Sequence, residues 1–259
     1  MTASSHNNLF SLEGKVALVT GAGRGLGADI ARALAAAGAQ VFALSRSQAE
    51  LETLAESIKA DGGRCEAIVC DVLDDSALQH CIGSLASLDI LVNNAGMNIP
   101  QRLESVSVEQ LDAVLNLNVR ASFLAMQAAI RKMQDHPQRQ QLGGAIVNIS
   151  SQMGHVGAER RTVYCMTKHA LEGLTKAAAV ELAPQNIRVN TVAPTFIDTP
   201  MTRPFFADQA FSQWVHERIP MGRLLRSDEV AAAVVYLASP AAAMVTGTSL
   251  KLDGGWTAQ

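Results

Sequence analysis

The chain has 259 residues, of which 48% are hydrophobic and only 17% charged, and its formal net charge is −3. This composition is enough to bury a large core, and it excludes disordered, collagen-like and disulfide-rich architectures. The slightly acidic balance argues against electrostatic binding of nucleic acid or of an anionic membrane, and no run approaches the ~18 consecutive apolar residues of a membrane span.

The N-terminal residues 1–11 are predicted to be a short disordered lead-in, because they contain no Lys or Arg and no apolar stretch typical of a secretory signal. The four cysteines form no CxxC pair and have no histidine partner at metal-ligand spacing. We therefore expect a cytoplasmic protein with reduced cysteines and no metal site.

Residues 12–259 alternate short apolar runs with amphipathic stretches, and this rhythm predicts one α/β domain. The predicted strands are Lys15–Thr20, Ala39–Ser45, Cys65–Cys70, Asp89–Val92, Ala145–Ser150, Arg188–Val192 and Ser249–Leu252. The predicted helices are 25–38, 48–59, 74–86, 107–134, 161–183 and 227–238. Because strands separated by helices run parallel, the expected fold class is a single-domain Rossmann fold, a doubly wound parallel seven-stranded sheet with helices on both faces.

The connection 193–226 is too long for an ordinary link between a strand and a helix, which takes about 2–6 residues. It follows a predicted strand and should overhang the carboxyl edge of the sheet, where ligands bind in such folds. We expect a substrate lid, and the alternative is a surface insertion with a helix around Ala207–Arg218. The aromatic residues of this segment form either an apolar wall over the substrate or an anchor; they are Phe205, Phe206, Phe211 and Trp214.

A glycine-rich turn joins the first predicted strand to the first helix, with four glycines between Gly21 and Gly27. Gly21 permits a sharp turn, Gly25 permits close approach of a phosphate, and Gly27 permits close packing of the helix on the strand. Together with Arg24 and Leu26, these residues offer the free N–H groups of a helix N-terminus to a pyrophosphate. The lysine of a nucleotide-hydrolysing phosphate loop is missing. The turn therefore predicts a dinucleotide site, with a tight turn that binds no ligand as the alternative.

The second predicted strand indicates which dinucleotide is bound. An acidic residue ~20 positions past the glycines usually holds the ribose 2′-OH of NAD. Ser45 stands at that place here, and Arg46 follows it. Arg46 and Arg24 are both able to hold a 2′-phosphate. We therefore expect NADP(H) in preference to NAD(H), and the alternative is that both arginines simply lie exposed at the ends of elements.

Tyr164 and Lys168 lie four residues apart in the predicted helix 161–183, so their side chains share one face. Ser151 lies just after the preceding strand. A phenol exchanges protons poorly at neutral pH unless a nearby cation lowers its pKa, and Lys168 is such a cation. Ser151 would then hold a substrate oxygen while Tyr164 gives or takes its proton; the alternative is a partly buried pair without catalytic function. His155, in the loop that follows, is expected to face solvent.

Taken together, these motifs resemble those of the classical short-chain dehydrogenase/reductase family over roughly residues 12–256. The family's TGxxxGxG pattern is present from Thr20 to Gly27, its NNAG pattern in 93–96 and its YxxxK pattern in 164–168. The closing 253–255, Asp-Gly-Gly, also fits the family.

The resemblance implies roles for further residues. Asn118 is identified as the active-site asparagine, which in relatives helps to position the lysine through water. Ser151, Gln152 and Tyr164 are the implied substrate contacts. Thr195 stands where many relatives have glycine; it disfavours a positive φ and is expected to change the bend of the loop beside the nicotinamide. Besides the glycine turn, Ser45 and Arg46, the implied cofactor contacts are Asp71, Val72, Asn94, Ala95, Gly96, Tyr164, Lys168, Pro194, Ile197 and Thr199.

The activity that the resemblance implies is an NAD(P)-dependent interconversion of a secondary alcohol and a ketone, on a sugar, a polyol or a 3-oxoacyl compound. It also implies a homotetramer, with helix 161–183 and the C-terminal segment around Trp256 as subunit contacts. The alternative on the same fold is a cofactor-sensing protein without catalysis, which would not need the serine, tyrosine and lysine together. A nucleotide-sugar epimerase or dehydratase would need a larger C-terminal substrate domain than this chain can supply.

Overall fold

The computed structural model describes residues 9–198 and 206–259. Its strands are β1 (Val16–Thr20), β2 (Gln40–Ser45), β3 (Arg64–Val69), β4 (Ile90–Asn93), β5 (Gly144–Ile149), β6 (Ile187–Pro194) and β7 (Ser249–Leu252). They form one seven-stranded sheet in the order β3-β2-β1-β4-β5-β6-β7, and every neighbouring pair is parallel. The predicted sheet is confirmed, and its strand ends lie within two residues of the expected ones.

Helices connect these strands and cover the sheet. They are α1 (Gly25–Ala36), α2 (Gln48–Ala60), α3 (Asp75–Gly83), α4 (Val108–Leu115), α5 (Ala121–Gln134), α6 (Arg139–Leu142), α7 (Thr162–Leu182), α8 (Gln209–Arg218) and α9 (Ser227–Ala238). The side chains of Ser47, Asp74 and Ser107 accept first-turn backbone N–H groups at the starts of α2, α3 and α4. Such caps satisfy donors that a helix start leaves unpaired, so these three helices begin where the sequence places a capping residue.

The single helix predicted over 107–134 is confirmed, because one helical stretch runs over Val108–Gln134. The sequence did not predict that this helix contains a π-helical turn. Asn116–Arg120 form a π-helical turn between α4 and α5. Turns of this kind occur mostly inside α-helices and frequently at functional sites. The apolar pattern runs through 108–134 without a break, and by length and composition alone this stretch would be apolar enough to cross a membrane. In the fold, its residues Met126, Ala129 and Met133 are buried in the core.

The sheet separates two apolar layers. On one face α1, α2 and α9 bury residues such as Ile30, Leu54 and Val234. On the other face α3, α5 and α7 bury Leu78, Met126 and Leu182. Because both faces of the sheet are covered, the strands consist of nearly continuous apolar runs rather than alternating ones.

The strand order reverses between β1 and β4, and a crevice opens at such a switch point at the carboxyl ends of the strands. Asn94, just past β4, donates from Nδ2 to the carbonyl oxygens of Thr20 and Gly21 at 3.0 and 3.1 Å. The backbone N–H groups of Asn94 and Ala95 donate to Thr20 Oγ1 at 3.1 and 3.2 Å. These bonds hold the glycine turn and the NNAG segment against each other at the crevice.

A third apolar cluster forms around α8. Trp256 is 9% exposed, and its ring centroid lies 6.0 Å from that of Phe196 and 5.5 Å from that of Trp214. Phe206 and Phe211 complete the cluster. The tryptophan expected at a subunit contact thus packs inside its own chain, and these contacts support the anchoring role for the aromatic residues. The helix expected around Ala207–Arg218 is present as α8.

Parts of the N-terminal segment and of the connection after β6 lie outside the described residues. Residues 1–8 of the expected disordered lead-in, and Thr199 and Phe205 in the connection after β6, lie outside the described residues. Leu9 and Phe10 belong to the same expected lead-in but make tertiary contacts. The carbonyl of Leu9 accepts a hydrogen bond from the Ala241 N–H at 2.9 Å, and the Phe10 ring lies 6.4 Å from that of Tyr236. The end of the expected lead-in therefore packs against α9.

Candidate active site

The glycine turn has the geometry that its sequence predicted. Gly21 and Gly25 have φ values of +65° and +55°, in the left-handed region that favours glycine. A Cβ on Gly25 would meet nothing within 4 Å, so this residue leaves open space beside the backbone. Arg24, at the start of α1, makes no side-chain cap, and the first turn of α1 contains no acidic residue. These free N–H groups and the space above them fit a pyrophosphate.

Gly27 provides the close packing of α1 on the turn. A Cβ at this position would lie 2.3 Å from the carbonyl oxygen of Gly21 and 2.5 Å from Asn94 Nδ2. Both neighbours belong to the crevice, and the first is backbone, so an added methyl group must displace the turn itself.

We expect Gly27→Ala to lower the free energy of unfolding by about 1–3 kcal/mol, as overpacking of a tight site does. Because the turn moves, dinucleotide affinity should also fall, by at least about tenfold, or ~1.4 kcal/mol. Thermal unfolding and a fluorescence titration with NADPH measure the two effects. Gly83→Ala is the matched control, because a Cβ on this helical glycine meets nothing within 4 Å. Equal behaviour of the two variants would contradict the steric explanation.

The residues expected to choose the cofactor lie at the ends of β2, β3 and α1. Arg46 Nη1 is 3.8 Å from Asp71 Oδ2, and Arg24 Nη1 is 3.7 Å from Glu50 Oε1. Both arginine side chains are about three-quarters exposed, at 76% and 74%. Two cations therefore stand beside Ser45, as the sequence suggested. Val72, next to Asp71, is buried.

Glu50 is a carboxylate that the sequence argument missed. A Cβ on Gly23 would lie 2.7 Å from Glu50 Oε2 and 2.8 Å from Ser45 Oγ, so Glu50 and Ser45 both border the turn. Glu50 comes from the first turn of α2, whereas the sequence rule looks for the acid at the end of β2. The sequence signal that could have pointed to Glu50 is its position as an acidic residue five positions after the end of β2.

Ser151, Tyr164 and Lys168 come together at the carboxyl ends of β5 and β6. Ser151 Oγ accepts the Met153 N–H at 3.2 Å and lies 3.5 Å from the carbonyl oxygen of Pro194. Lys168 is 5% exposed; its Nζ donates to the carbonyl of Ile149 at 2.8 Å and lies 5.4 Å from the centroid of the Tyr164 ring. The three predicted catalytic residues are therefore neighbours in space.

The surroundings of these groups shift their pKa values in opposite directions. Burial raises the pKa of Tyr164, while a hydrogen bond with Ser151 and the charge of Arg161 lower it. Burial lowers the pKa of Lys168 to about 8, while the charge of Glu172 raises it. Tyr164 is thus protonated at neutral pH, and the pKa of Lys168, at about 8, lies well below the ordinary value of a lysine. The expected lowering of the Tyr164 pKa by Lys168 stays a prediction.

Asn118 lies in the π-helical turn and is 1% exposed. Its Oδ1 accepts the Met97 N–H at 2.8 Å, and its Nδ2 donates to the Met97 carbonyl at 2.9 Å and to Thr167 Oγ1 at 3.1 Å. A Cβ on Gly96 would approach Asn118 Oδ1 to 3.2 Å, so this glycine makes room for the amide. Asn118 therefore connects the segment after β4 with α7. Its contact on α7 is Thr167, the residue before Lys168.

A buried polar network behind Lys168 was not expected from the sequence. Glu172, one turn further along α7, is 6% exposed and accepts hydrogen bonds from Thr191 Oγ1 at 3.0 and 3.1 Å and from Ser249 Oγ at 3.2 Å. His155 Nε2 lies 2.8 Å from Ser249 Oγ and 3.4 Å from Glu172 Oε1. His155 therefore belongs to this network, and the expectation that it faces solvent was wrong. The network ties the loop after β5 to α7, β6 and β7.

The segment after β6 continues the sheet edge. Thr195 donates its N–H to the Leu252 carbonyl at 3.0 Å, and Ile197 pairs with Leu225 in a parallel bridge. Within 9–198 and 206–259, only Arg160 and Asn186 are non-glycine residues with a positive φ. Thr195 thus avoids a positive φ, as expected. Gln152 follows Ser151 in a short 3₁₀ turn and is 1% exposed.

One edge of the parallel sheet carries a glycine turn, an uncapped helix start and a serine–tyrosine–lysine group. Such an arrangement at a switch point is typical of a dinucleotide-dependent oxidoreductase. Comparison with known proteins identifies the family. A model of the family described as enoyl-(acyl carrier protein) reductase matches residues 21–257. L-xylulose reductase of Bos taurus is 39% identical over 249 residues, which are 95% of this chain and 98% of that protein.

Two further relatives agree. D-threitol dehydrogenase of Mycolicibacterium smegmatis is 38% identical over 252 residues, 96% of this chain and 95% of that protein. The crystal structure of gluconate 5-dehydrogenase from Burkholderia cenocepacia J2315, in complex with NADP and tartrate, superimposes with a TM-score of 0.91 at 34% identity, over 97% of this chain and 98% of that one. The chain belongs to the short-chain dehydrogenase/reductase family, and it is an oxidoreductase acting on CH–OH groups.

Proposed function

We propose that this chain interconverts a secondary alcohol and a ketone in a sugar or polyol, with NADP(H) preferred over NAD(H). The observation that carries the proposal is the grouping of Ser151, Tyr164 and Lys168 at the same carboxyl edge of the sheet that carries the glycine turn. The relatives support the substrate class, since their names refer to xylulose, threitol and gluconate. The relative with gluconate in its name was crystallised with NADP.

In this proposal the dinucleotide lies along the carboxyl edge of the sheet, across the switch point between β1 and β4. The N-terminus of α1 would hold the pyrophosphate, Arg24 and Arg46 the 2′-phosphate, and Lys168 the nicotinamide ribose. Asp71 and Val72 would border the adenine; Asn94, Ala95, Gly96, Pro194, Ile197 and Thr199 would line the rest of the site. When bound, the nicotinamide ring supplies the hydride acceptor in oxidation and the hydride donor in reduction.

The protein's own groups handle the substrate oxygen and its proton. Ser151 Oγ donates a hydrogen bond to this oxygen and orients it. The Tyr164 hydroxyl gives the oxygen a proton in reduction and takes that proton in oxidation. Lys168 stabilises the negative charge left on the phenol, and Asn118 supports the return of protons from solvent by fixing the start of α7. Gln152 completes the substrate side of the site.

A substrate panel tests the proposal. Xylulose, threitol, gluconate and a 3-oxoacyl thioester are assayed with both NADP(H) and NAD(H). Turnover of a sugar or polyol with NADP(H) is the expected result. Preferred turnover of the thioester would favour the acyl substrates suggested by the description of the matching family. NADPH binding without turnover of any compound would identify a sensor instead.

Arg46→Asp tests the cofactor preference. We expect kcat/KM with NADP⁺ to fall by about 10- to 100-fold, because a charge-assisted contact is replaced by repulsion, while kcat/KM with NAD⁺ changes little. Arg32→Gln removes an arginine that pairs with Asp29 elsewhere on α1 and serves as the control. A parallel loss with both cofactors would show that Arg46 does not read the 2′-phosphate.

We also propose that the segment 193–226 acts as a substrate lid.

We further propose that the protein is a cytoplasmic homotetramer without nucleic-acid or membrane partners. Large apolar side chains on the outer surfaces of α4, α5 and α7 support self-association; they are Val108, Phe123, Met166 and Val180, between 46% and 79% exposed. Light scattering should give four times the chain mass of 27.4 kDa, and a monomer mass would contradict the tetramer.

A further inference from the structure

Arg161 is a cation that the proposed function leaves unused. It immediately precedes α7 and lies three residues before Tyr164. Its side chain is half-buried, and Nη1 is shielded from solvent with no hydrogen-bond partner among residues 9–198 and 206–259. A buried donor on a charged group normally has a partner, because leaving it unmatched costs free energy.

The other inward-facing arginines show how this protein usually meets that requirement. Arg139, 5% exposed, donates to Asp89 Oδ1 at 3.1 Å and to the carbonyls of Met133 and Leu88 at 2.9 Å. Arg188 donates to the carbonyls of Leu237 and Ser239 at 2.6 and 3.3 Å. Arg161 differs from both, and a carboxylate on a ligand would supply the missing acceptor.

The charge of Arg161 lies near the reaction centre. Residues three positions apart on a helix are neighbours on its surface, and Arg161, at the start of α7, precedes Tyr164 by three positions. Burial lowers the pKa of the Arg161 guanidinium, and the charge of this group opposes the rise that burial causes in the pKa of Tyr164. The first turn of α7 contains no acidic residue, so its partial positive charge adds to that of the side chain.

Two further unpartnered polar side chains lie close to Ser151. Gln152 is 1% exposed, and neither its Oε1 nor its Nε2 has a hydrogen-bond partner within the described residues. Thr195 Oγ1, 8% exposed and next to the Pro194 carbonyl that Ser151 approaches, is likewise unpartnered there. An amide and a hydroxyl in this state are suited to a ligand with several hydroxyl groups.

We propose that Arg161 binds the carboxylate of a polyhydroxy acid while Gln152 and Thr195 bind its hydroxyl groups, so that the substrate is a sugar acid rather than a neutral polyol. This inference rests on the proposed function and narrows its substrate class. An Arg fork recognises the two oxygens of a carboxylate together, which a neutral CH₂OH group at the same place cannot match.

The test compares gluconate with sorbitol, which has the same carbon chain and CH₂OH in place of the carboxylate, each with NADP⁺. We expect wild-type protein to prefer gluconate, and Arg161→Gln to lower the gluconate-to-sorbitol ratio of kcat/KM by about 30-fold or more. Any general effect on Tyr164 applies to both substrates and cancels in the ratio. Arg160→Gln, which removes an exposed arginine at the same helix end, should leave the ratio within about threefold of wild type.

A binding measurement separates the possible failures. We expect tartrate to bind the wild-type protein in the presence of NADP⁺. Its affinity should be lower for Arg161→Lys and at least about 30-fold lower for Arg161→Gln. Turnover of neutral polyols with an unchanged ratio in Arg161→Gln would overturn the inference and leave the proposed function intact. Absence of turnover with every sugar, polyol and sugar acid would overturn the proposed function, and tartrate titration would still decide the role of Arg161. Equal tartrate affinity in all three proteins would overturn the inference in either case.

Discussion

Tyr164→Phe is expected to lower kcat by about 10²- to 10⁴-fold while NADPH affinity stays within a few-fold of wild type. The substitution removes only the hydroxyl that exchanges the substrate proton. The ring remains beside Lys168, whose Nζ lies 5.4 Å from its centroid, so the shape of the site is kept. Steady-state assays with the best substrate of the panel measure the first effect, and fluorescence titration with NADPH measures the second.

The chain offers a matched control, because it contains only one other tyrosine, Tyr236. Tyr236 lies on α9 and contacts Phe10, in the layer that covers the opposite face of the sheet from α7. Tyr236→Phe removes the same hydroxyl away from the crevice and should keep kcat within about twofold of wild type. Full activity in Tyr164→Phe, or an equal loss in both variants, would show that Tyr164 is not the proton-transferring group.

Lys168→Met is expected to lower kcat by about 10²-fold or more and at the same time to stabilise the fold at neutral pH. In the proposed mechanism the ammonium supports the charge on Tyr164. Its burial is costly, because burial lowers the pKa of Lys168 from an ordinary 10.5 to about 8. Loss of the hydrogen bond to the Ile149 carbonyl offsets part of the gain. The net gain at pH 7 should be about 1–2 kcal/mol.

The stability difference between Lys168→Met and the wild-type protein should depend on pH. Between pH 8 and 10.5 the unfolded wild-type chain binds more protons at Lys168 than the folded one, so wild-type stability rises with pH across this window. Below pH 8 the whole cost of burying the ammonium remains. The advantage of Lys168→Met should therefore be largest below pH 8 and decline above it, which denaturant unfolding at pH 7 and pH 9.5 measures. A variant less stable than wild type at both values would show that the buried lysine is favourable overall.

These two variants also bear on the relation between stability and activity at this site. Lys168 stands in an environment that disfavours its charge, and Glu172 supplies the opposing influence from one turn away. Glu172 in turn is held by Thr191 and Ser249, on two neighbouring strands of the sheet. The fold thus keeps a costly cation in place by surrounding its supporting carboxylate with hydrogen-bond donors.

The sequence by itself determined the parallel sheet and the chemical groups of the site. Alternating apolar runs and helical stretches are local patterns, and β1 to β7 lie where those patterns placed them. The glycine turn follows from the conformations open to glycine, and the shared face of Tyr164 and Lys168 follows from helical spacing. Each of these features depends on residues close together in the chain, so composition and spacing were enough to predict it.

Only the tertiary structure decided the surroundings of those groups. Glu172 meets Ser249 across 77 positions of sequence, and Asn118 meets Thr167 across 49, so no local pattern could pair them. The π-helical turn around Asn118 lies inside an apolar pattern that runs through it without a break, so the pattern gave no sign of it. Arg161 is distinguished by the lack of a partner for its buried Nη1 within the described residues. A charge on a helix end becomes informative only when the positions of all surrounding acceptors are known, because hydrogen bonds and burial are properties of the folded chain.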